Sequence, residues 1–280
     1  MGVLRTACVQ MRSGVSVEKN IAQMSDFVRD AAAQGAIYIQ TPEMSGLLQK
    51  NPKLLMDIIK LQDQDPVFAA SAELAMELGI WLHLGSTPIK MADSEITKKA
   101  ANRGALFSPK GELVFTYDKI HMFDVVVDEA NQWKESNRFQ PGENAYVFDM
   151  NGVKAGVSIC YDLRFPQLYQ AQAKAGANIL TCPSSFTKPT GKAHWEVLLR
   201  ARAIENGAFM IAAAQGGQHE DGRTTHGHSM IIDPWGQLLG ELAHDEPGIL
   251  VCDLDLEQSA NARKRIPNLA NERKFSISMI

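Results

Sequence analysis

The chain reads as a layered α/β sandwich built as one domain over residues 1–255, followed by a distinct C-terminal tail at 256–280. Three observations point there. Short apolar, strand-like runs alternate with stretches of helical periodicity along most of the length. No linker or shift of composition interrupts the alternation before about residue 256. The 280 residues, 45% of them hydrophobic, suffice to bury one large core.

Residues 4–10 form the first expected strand, and 17–33 carry a helical period with Gly35 just past its end as a C-cap. A short strand at 36–40 runs directly into Thr41, Pro42 and Glu43. Helix 67–78 is closed by Gly79, and strand 80–85 follows. Strands 105–107 and 113–117 flank Ser-Pro-Lys-Gly, a hairpin signal. From Lys119 to Glu143 the chain is polar and too long for an ordinary connector, the kind of loop that carries function. Strands recur at 146–150, 153–159, 179–182, 209–214, 229–233, 237–242 and 249–253, with helices at 166–174 and 193–206. Pro166 suits a first helical position, and Gly236-Gln237 marks a turn. In the tail, Arg263, Lys264, Arg265, Arg273 and Lys274 gather around Pro267. That composition fits a solvated terminus or an oligomerisation arm laid on a second copy.

A formal net charge of −4 and a pI near 6.0 give no reason to expect nucleic acid or an anionic membrane as partner. No apolar run approaches the roughly 18–20 residues of a membrane span, and the N-terminus lacks a signal-peptide pattern, so a cytoplasmic protein is expected. The cysteines Cys8, Cys160, Cys182 and Cys252 lie far apart, with no C-x-x-C pair. Cys8, Cys182 and Cys252 each sit in or beside an apolar run, as buried free thiols of a reducing compartment do. His219, His226 and His228 raise the question of a metal, but no acidic or cysteine partner completes a zinc spacing. Neither a metal nor an organic cofactor is expected.

Cys160 stands apart from the other thiols. It closes Gly-Val-Ser-Ile-Cys after an apolar strand and shortly before the helix opened by Pro166. A thiol at such an edge is within a substrate's reach, and a nearby helix N-terminus favours the thiolate. Glu43 lies just past one strand end and Lys119, in Tyr117-Asp118-Lys119-Ile120-His121, just past another. Taken singly, each has an ordinary reading: a packed thiol, a solvated loop carboxylate, a solvated lysine. A Cys–His hydrolase of the glutaminase type also places cysteine at a strand–helix elbow. Its pattern has glycine next, where Tyr161 stands here, and its C-terminal His-x-Glu pair is missing.

Jointly, Thr41-Pro42-Glu43, then Tyr117-Asp118-Lys119-Ile120-His121, then Gly-Val-Ser-Ile-Cys-Tyr-Asp-Leu-Arg-Phe-Pro (156–166) resemble the nitrilase superfamily of carbon–nitrogen hydrolases, in that family's order. Ala193-His194-Trp195-Glu196, and Gly227-His228-Ser229 leading to Asp233-Pro234-Trp235-Gly236, agree with it. The resemblance spans about residues 3–255. It implies a four-layer α-β-β-α sandwich that dimerises through helical faces, as a homodimer or higher homo-oligomer. It implies an amidase that cleaves the C–N bond of a small-molecule amide, with Cys160 as nucleophile and Glu43 as general base. Lys119 and the backbone N–H of Tyr161 would hold the oxyanion, and Glu135 matches a second glutamate carried near the lysine. Arg164 matches a position where some members bind a substrate carboxylate, with an internal salt bridge as the structural alternative. The loop 183–192, with Ser185 and Phe186, would wall the pocket together with His194 and Trp195. Aromatic packing alone would also account for Trp195.

Within the superfamily the nearest likeness is to amidases of α-keto acid amides. Ala212-Ala213-Ala214-Gln215, His219 and Gly227-His228-Ser229-Met230 favour those that split the N-substituted α-ketoglutaramate unit of deaminated glutathione. The competing activity removes ammonia from α-ketoglutaramate itself. Residues 44–48 are less aromatic than either pattern, and 125–133 departs from both. A catalytically silent protein of the same shape, acyl transfer to an amine and nitrile hydration are weaker alternatives. Intact Glu43, Lys119 and Cys160 argue against the first.

Overall fold

The computed structural model describes residues 2–92, 94–128 and 131–280. In one sheet β1 (Val3–Gln10), β2 (Tyr38–Gln40) and β3 (Trp81–Lys90) run parallel. Antiparallel strands β4 (Ala100–Phe107), β5 (Leu113–Asp118) and β17 (Gly248–Asp255) extend it in the order β17-β1-β2-β3-β4-β5. The second sheet repeats the plan. Its parallel centre is β10 (Val153–Gly156), β11 (Ile179–Thr181) and β12 (Phe209–Ala212). β9 (Val147–Met150) flanks β10, and β15 (Met230–Ile232) with β16 (Leu238–Glu241) flank β12, all antiparallel.

Parallel neighbours need crossovers, and helices supply them. α1 (Val17–Ala33) joins β1 to β2, while α2 (Pro52–Ile58) and α3 (Pro66–Leu78) lie between β2 and β3. A single turn, α4 (Ser94–Thr97), precedes β4. α5 (Pro166–Lys174) and α6 (Lys188–Asn206) connect β10, β11 and β12, and α7 (Glu257–Arg265) follows β17. Alternation along the strands decides the layers. Ala7, Val9, Ile39, Leu82 and Leu84 point to α1 and α3, whose Met24, Val28 and Leu74 meet them. Leu4, Cys8, Tyr38, Leu106 and Tyr117 point the other way, onto Phe148, Leu180 and Ile211 of the second sheet. Trp195, Leu199 and Ala203 of α6 close the far side. The order is α-β-β-α, as the resemblance implied, and each fully buried large aliphatic side chain contributes roughly 1.5–3 kcal/mol.

Helix ends follow their sequence signals. Asp65 accepts hydrogen bonds from the amides of Val67 and Phe68, Pro66 takes the first position of α3, and Gly79 ends it in a left-handed conformation. α6 begins at Lys188 rather than 193 because its first turn, Lys188-Pro189-Thr190-Gly191, carries no apolar period. β4 starts at Ala100 instead of 105, since Ala-Ala-Asn-Arg-Gly hides the alternation. β10 stops at Gly156 rather than 159, although the Val157 amide still donates to the Tyr146 carbonyl (3.2 Å) in the register of β9; beyond it Ser158 Oγ donates to the Thr181 carbonyl (2.7 Å). The polar stretch after Lys119 holds β6 (Asp124–Asp128) paired with β7 (Asn131–Lys134), then β8 (Phe139–Gln140) beside β4. Residues 129 and 130 lie outside the described residues. A second unexpected hairpin joins β13 (Gly216–Gln218) to β14 (Thr224–His226). Among the described residues no helix is long and apolar enough to cross a membrane.

Three fully buried glutamines tie the sheets together. Gln10 Oε1 accepts from the Ser229 amide (2.8 Å) and hydroxyl (2.9 Å), and Gln40 Oε1 from the Ala213 amide (3.0 Å). Gln215 Nε2 donates to the carbonyl of Glu43 (3.0 Å) and to Ser13 Oγ (2.7 Å). In the same layer His83 lies wholly buried, its Nδ1 2.8 Å from Tyr38 Oη and 3.2 Å from Gln40 Nε2. Its Nε2 has no partner among the described residues. Burial pulls the imidazole down from 6.5 to about 3, so the native state holds it neutral. Between those two values the unfolded chain binds a proton that the native state refuses, so this histidine costs stability as pH falls through that window. His83→Gln should therefore flatten the acid-side dependence of urea stability by up to about 1.4 kcal/mol per pH unit between pH ~6 and ~4. An unaltered slope would show that His83 does not carry this linkage.

Candidate active site

Glu43 and Lys119 come from the first sheet and Cys160 from the second, each in the segment leaving a strand's carboxyl end. That rim is where open α/β sheets present ligand sites. The Glu43 turn is held against β3: the Gly85 amide donates to Thr41 Oγ1 (3.1 Å) and the Met44 amide to Ser86 Oγ (2.9 Å). The approach is close enough to demand glycine at position 85, where a Cβ would sit 2.1 Å from the Thr41 carbonyl oxygen and 2.5 Å from that of Pro42.

Lys119 is buried, and its Nζ lies 2.9 Å from Glu43 Oε1 and 3.0 and 2.8 Å from the two oxygens of Glu135. Burial by itself works against the ammonium. Glu135, then Glu43, outweigh it and hold the lysine well above its ordinary value, so it stays charged. Asn102 Nδ2 bridges the two carboxylates, 2.8 Å from Glu43 Oε1 and 3.4 Å from Glu135 Oε1. The Phe123 amide fixes the other oxygen of Glu135 at 2.7 Å.

Cys160 adopts a left-handed backbone (φ 52°) and donates its amide to the Pro183 carbonyl at 3.0 Å. Burial first, then Glu43, push its thiol well above the ordinary range, while Lys119 and the Ser185 amide pull it down. The resting group is a thiol, not the thiolate that a helix N-terminus would favour. The helix here is a single 3-10 turn, Cys160–Arg164, whose dipole is too small to offset desolvation. Tyr161 takes the second position of that turn, where backbone N–H groups have no helical acceptor.

Asp162 locks this turn to the lysine strand. Fully buried, it accepts from the Ile159 amide (2.8 Å) and Tyr117 Oη (2.6 Å) on one oxygen. Its other oxygen accepts from the His121 amide (3.0 Å) and meets His121 Nδ1 (2.7 Å). From behind, Arg202 on α6 donates twice to the Leu163 carbonyl, at 3.0 and 2.8 Å.

The cleft in front of Cys160 is lined by Glu43, Lys119, Glu135, Tyr161, Ser185 and Phe186 among the residues expected from sequence. Arg164, His194 and Trp195 stand outside that lining. Arg164 packs over the rings of Tyr161 (5.9 Å) and Phe186 (5.6 Å), with Nη2 3.3 Å from His194 Nδ1. Among the described residues it forms no salt bridge. Trp195 is buried, donates Nε1 to the His228 carbonyl (2.8 Å) and supports Phe186 from behind at 4.8 Å. His194 lines a neighbouring groove with His226 and His228, whose rings stack at 4.3 Å. Asn102, and Arg138 and Arg223 in the cleft lining, were not expected from the sequence. Asp162 was visible only as the third residue of Cys-Tyr-Asp.

Because four donors converge on Asp162, Asp162→Asn turns one acceptor face into a donor against them. A loss of at least about 2 kcal/mol in chemical denaturation is expected, with turnover falling more than tenfold. Stability and rate within error of wild type would remove Asp162 from its positioning role.

The pattern of the carbon–nitrogen hydrolase family matches residues 5–264. The deaminated glutathione amidase of Yersinia enterocolitica is 38% identical over 271 residues, covering 96% of this chain and 93% of its own. The Homo sapiens protein of the same name is 37% identical over 269 residues, covering 95% of this chain and 81% of its own. Saccharomyces cerevisiae Nit3, a member of branch 10 of the nitrilase superfamily, superposes with a TM-score of 0.84 at 25% identity over 95% of each chain. A mutant of the Nesterenkonia sp. AN1 amidase, in which acrylamide has added to the active-site cysteine, superposes with a TM-score of 0.77 at 27% identity, covering 94% of this chain and 98% of its own. With its α-β-β-α sandwich and the Glu43, Lys119 and Cys160 side chains gathered in one cleft, this chain belongs to the carbon–nitrogen hydrolase family of the nitrilase superfamily.

Proposed function

We propose that this protein is an amidase that hydrolyses a small carboxylated α-keto acid amide, deaminated glutathione foremost, through a thioester on Cys160. The observation that carries the reading is a buried cluster of one ammonium and two carboxylates set against a protonated thiol. Glu43 takes the thiol proton as sulfur attacks the amide carbon. The oxyanion that forms is held by the Lys119 ammonium and the Tyr161 N–H, and one such donor is worth roughly 3–4 kcal/mol in the transition state. Glu43 then returns the proton to the departing amine as the C–N bond breaks, leaving the acyl group on sulfur. Water enters, gives a proton to Glu43 and attacks the thioester; the C–S bond breaks and Cys160 recovers its proton. Glu135 keeps Lys119 charged throughout, so Glu43 is free to cycle. Ser185 and Phe186 bound the substrate, with Trp195 behind Phe186.

The relatives named deaminated glutathione amidase support this substrate over free α-ketoglutaramate. The four free cysteines suit a reducing, cytoplasmic setting. Pairing with a second copy is supported by apolar residues left exposed on α6, Val197 (68%) and Ile204 (51%), one heptad apart. The segment after α7 leaves Phe275, Ile277 and Met279 in solvent, which suits an arm lying on that copy.

The ratio of kcat/KM for deaminated glutathione over α-ketoglutaramate should exceed about ten, the equivalent of one good leaving-group contact. A ratio below one would make the chain an amidase of α-ketoglutaramate. Glu43→Gln should cut turnover by roughly 10²–10⁴. It should also speed alkylation of Cys160 by iodoacetamide at pH 7, because the carboxylate that raises the thiol is gone. An unchanged rate would mean that Glu43 neither raises the thiol nor takes its proton.

A further inference from the structure

The cleft carries more positive charge than the amide chemistry uses. Four cationic side chains line it (Lys119, Lys134, Arg138 and Arg223) against two carboxylates, Glu43 and Glu135. Both carboxylates are engaged by Lys119. Arg138 is partly buried, and its hydrogen bonds are Nη1 to the carbonyls of Gln49 (3.4 Å) and Lys50 (3.1 Å). Among the described residues its Nε and Nη2 make none, and it pairs with no carboxylate. Arg223 is held by Asp221, with Nε and Nη2 each 2.7 Å from Oδ2, which leaves Nη1 available. The hairpin bearing it is anchored by buried His219, whose ring nitrogens lie 2.8 Å from the Ser13 carbonyl and 2.7 Å from Thr225 Oγ1. The two guanidinium groups sense each other: after burial, the charge of Arg223 is the largest influence lowering Arg138, and it outweighs either Glu135 or Asp221, which act the other way.

A third source of positive potential meets them. α6 starts at the cleft with no side-chain cap on its N-terminus, and Thr187 and Thr190 of that end line the same space. Two repelling guanidinium groups beside an uncapped helix end are stabilised by an anion, and a carboxylate presents two oxygens to such a fork. Arg164, where the motif pattern expects this role, is instead turned onto aromatic rings outside the cleft lining.

We propose that Arg138 and Arg223, with the N-terminus of α6, form the subsite for a substrate carboxylate and thereby set the preference for anionic amides. The identity of the substrate rests on the amidase reading above, whereas the subsite is argued from the cleft itself. Deaminated glutathione offers two such groups, the α-keto acid carboxylate and the glycyl carboxylate of the leaving group.

The test uses the full chain with Arg138→Gln, Arg223→Gln and Arg138→Lys. Arg138 has no carboxylate to strand, so its substitution is the one least able to disturb folding. KM for deaminated glutathione should rise roughly tenfold in each glutamine variant, with kcat nearly unchanged, and Arg138→Lys should recover part of the loss. A matching rise for α-ketoglutaramate assigns the subsite to the α-keto acid carboxylate; a rise confined to deaminated glutathione assigns it to the glycyl end. Unchanged KM for both amides overturns the subsite. A second readout needs no turnover: protection of Cys160 from iodoacetamide by α-ketoglutarate or by S-methylcysteinylglycine, whose blocked sulfur does not consume the reagent. Arg138→Gln should require about tenfold more of one protectant. Equal protection in wild type and variant, or none in the wild type, overturns the subsite. Should the wild type hydrolyse neither amide, the substrate reading fails while the protection measurement still decides the subsite.

Discussion

One buried carboxylate holds the site in register. Asp162, itself without exposure to solvent, meets three donors from Tyr117 and His121, two residues to either side of Lys119, and one from the residue before Cys160. The lysine belongs to one sheet and the cysteine to the other, so without this link their separation would depend on apolar packing and on more distant hydrogen bonds between the sheets. Side-chain packing is less directional than charge-assisted hydrogen bonding, which fixes both distance and angle. The three cross-sheet glutamines extend the same constraint, and Gln215 grips the Glu43 backbone itself.

The electrostatics follow from burial. A lone ammonium at the depth of Lys119 would lose its proton, and a lone carboxylate at Glu43 would be costly. Two carboxylates around one ammonium leave a negative group facing the thiol while keeping the lysine charged. Asn102 supplies a neutral donor to both carboxylates, easing their mutual repulsion. The cysteine is thus held as a thiol, raised by burial and by the nearby Glu43 carboxylate. Its left-handed backbone is a strain of order 1–3 kcal/mol, of the kind found at functional sites. Arg202 and the Pro183 carbonyl over-determine the turn and keep it there.

Much of this was legible in the sequence because period and punctuation are local. The alternation in Leu-Arg-Thr-Ala-Cys-Val-Gln, the helical face of α1 and the Pro66…Gly79 bracket need only neighbouring residues to be read. The motifs around Glu43, Lys119 and Cys160 were equally visible, as was the family they imply. Elements with a weak apolar signal were not: the small-residue start of β4, the polar first turn of α6 and the hairpin β13–β14; in β6–β7 the short Val125-Val126-Val127 run was hidden by the polar sequence around it.

The sequence by itself determined the layered α/β class, the order of most strands and helices along the chain and the motifs that carry Glu43, Lys119 and Cys160, because each is written in a short segment. Only the tertiary structure decided which charges meet. Asn102 lies 59 residues from Glu43, and Tyr117 lies 45 from Asp162, so no local pattern joins them. Arg138 and Arg223 reach one cleft from separate segments of the chain, while Arg164, close to the nucleophile in sequence, is turned onto an aromatic wall. Proximity along the chain sets backbone conformation. The direction a side chain takes, and hence what it binds, is set by the packing around it.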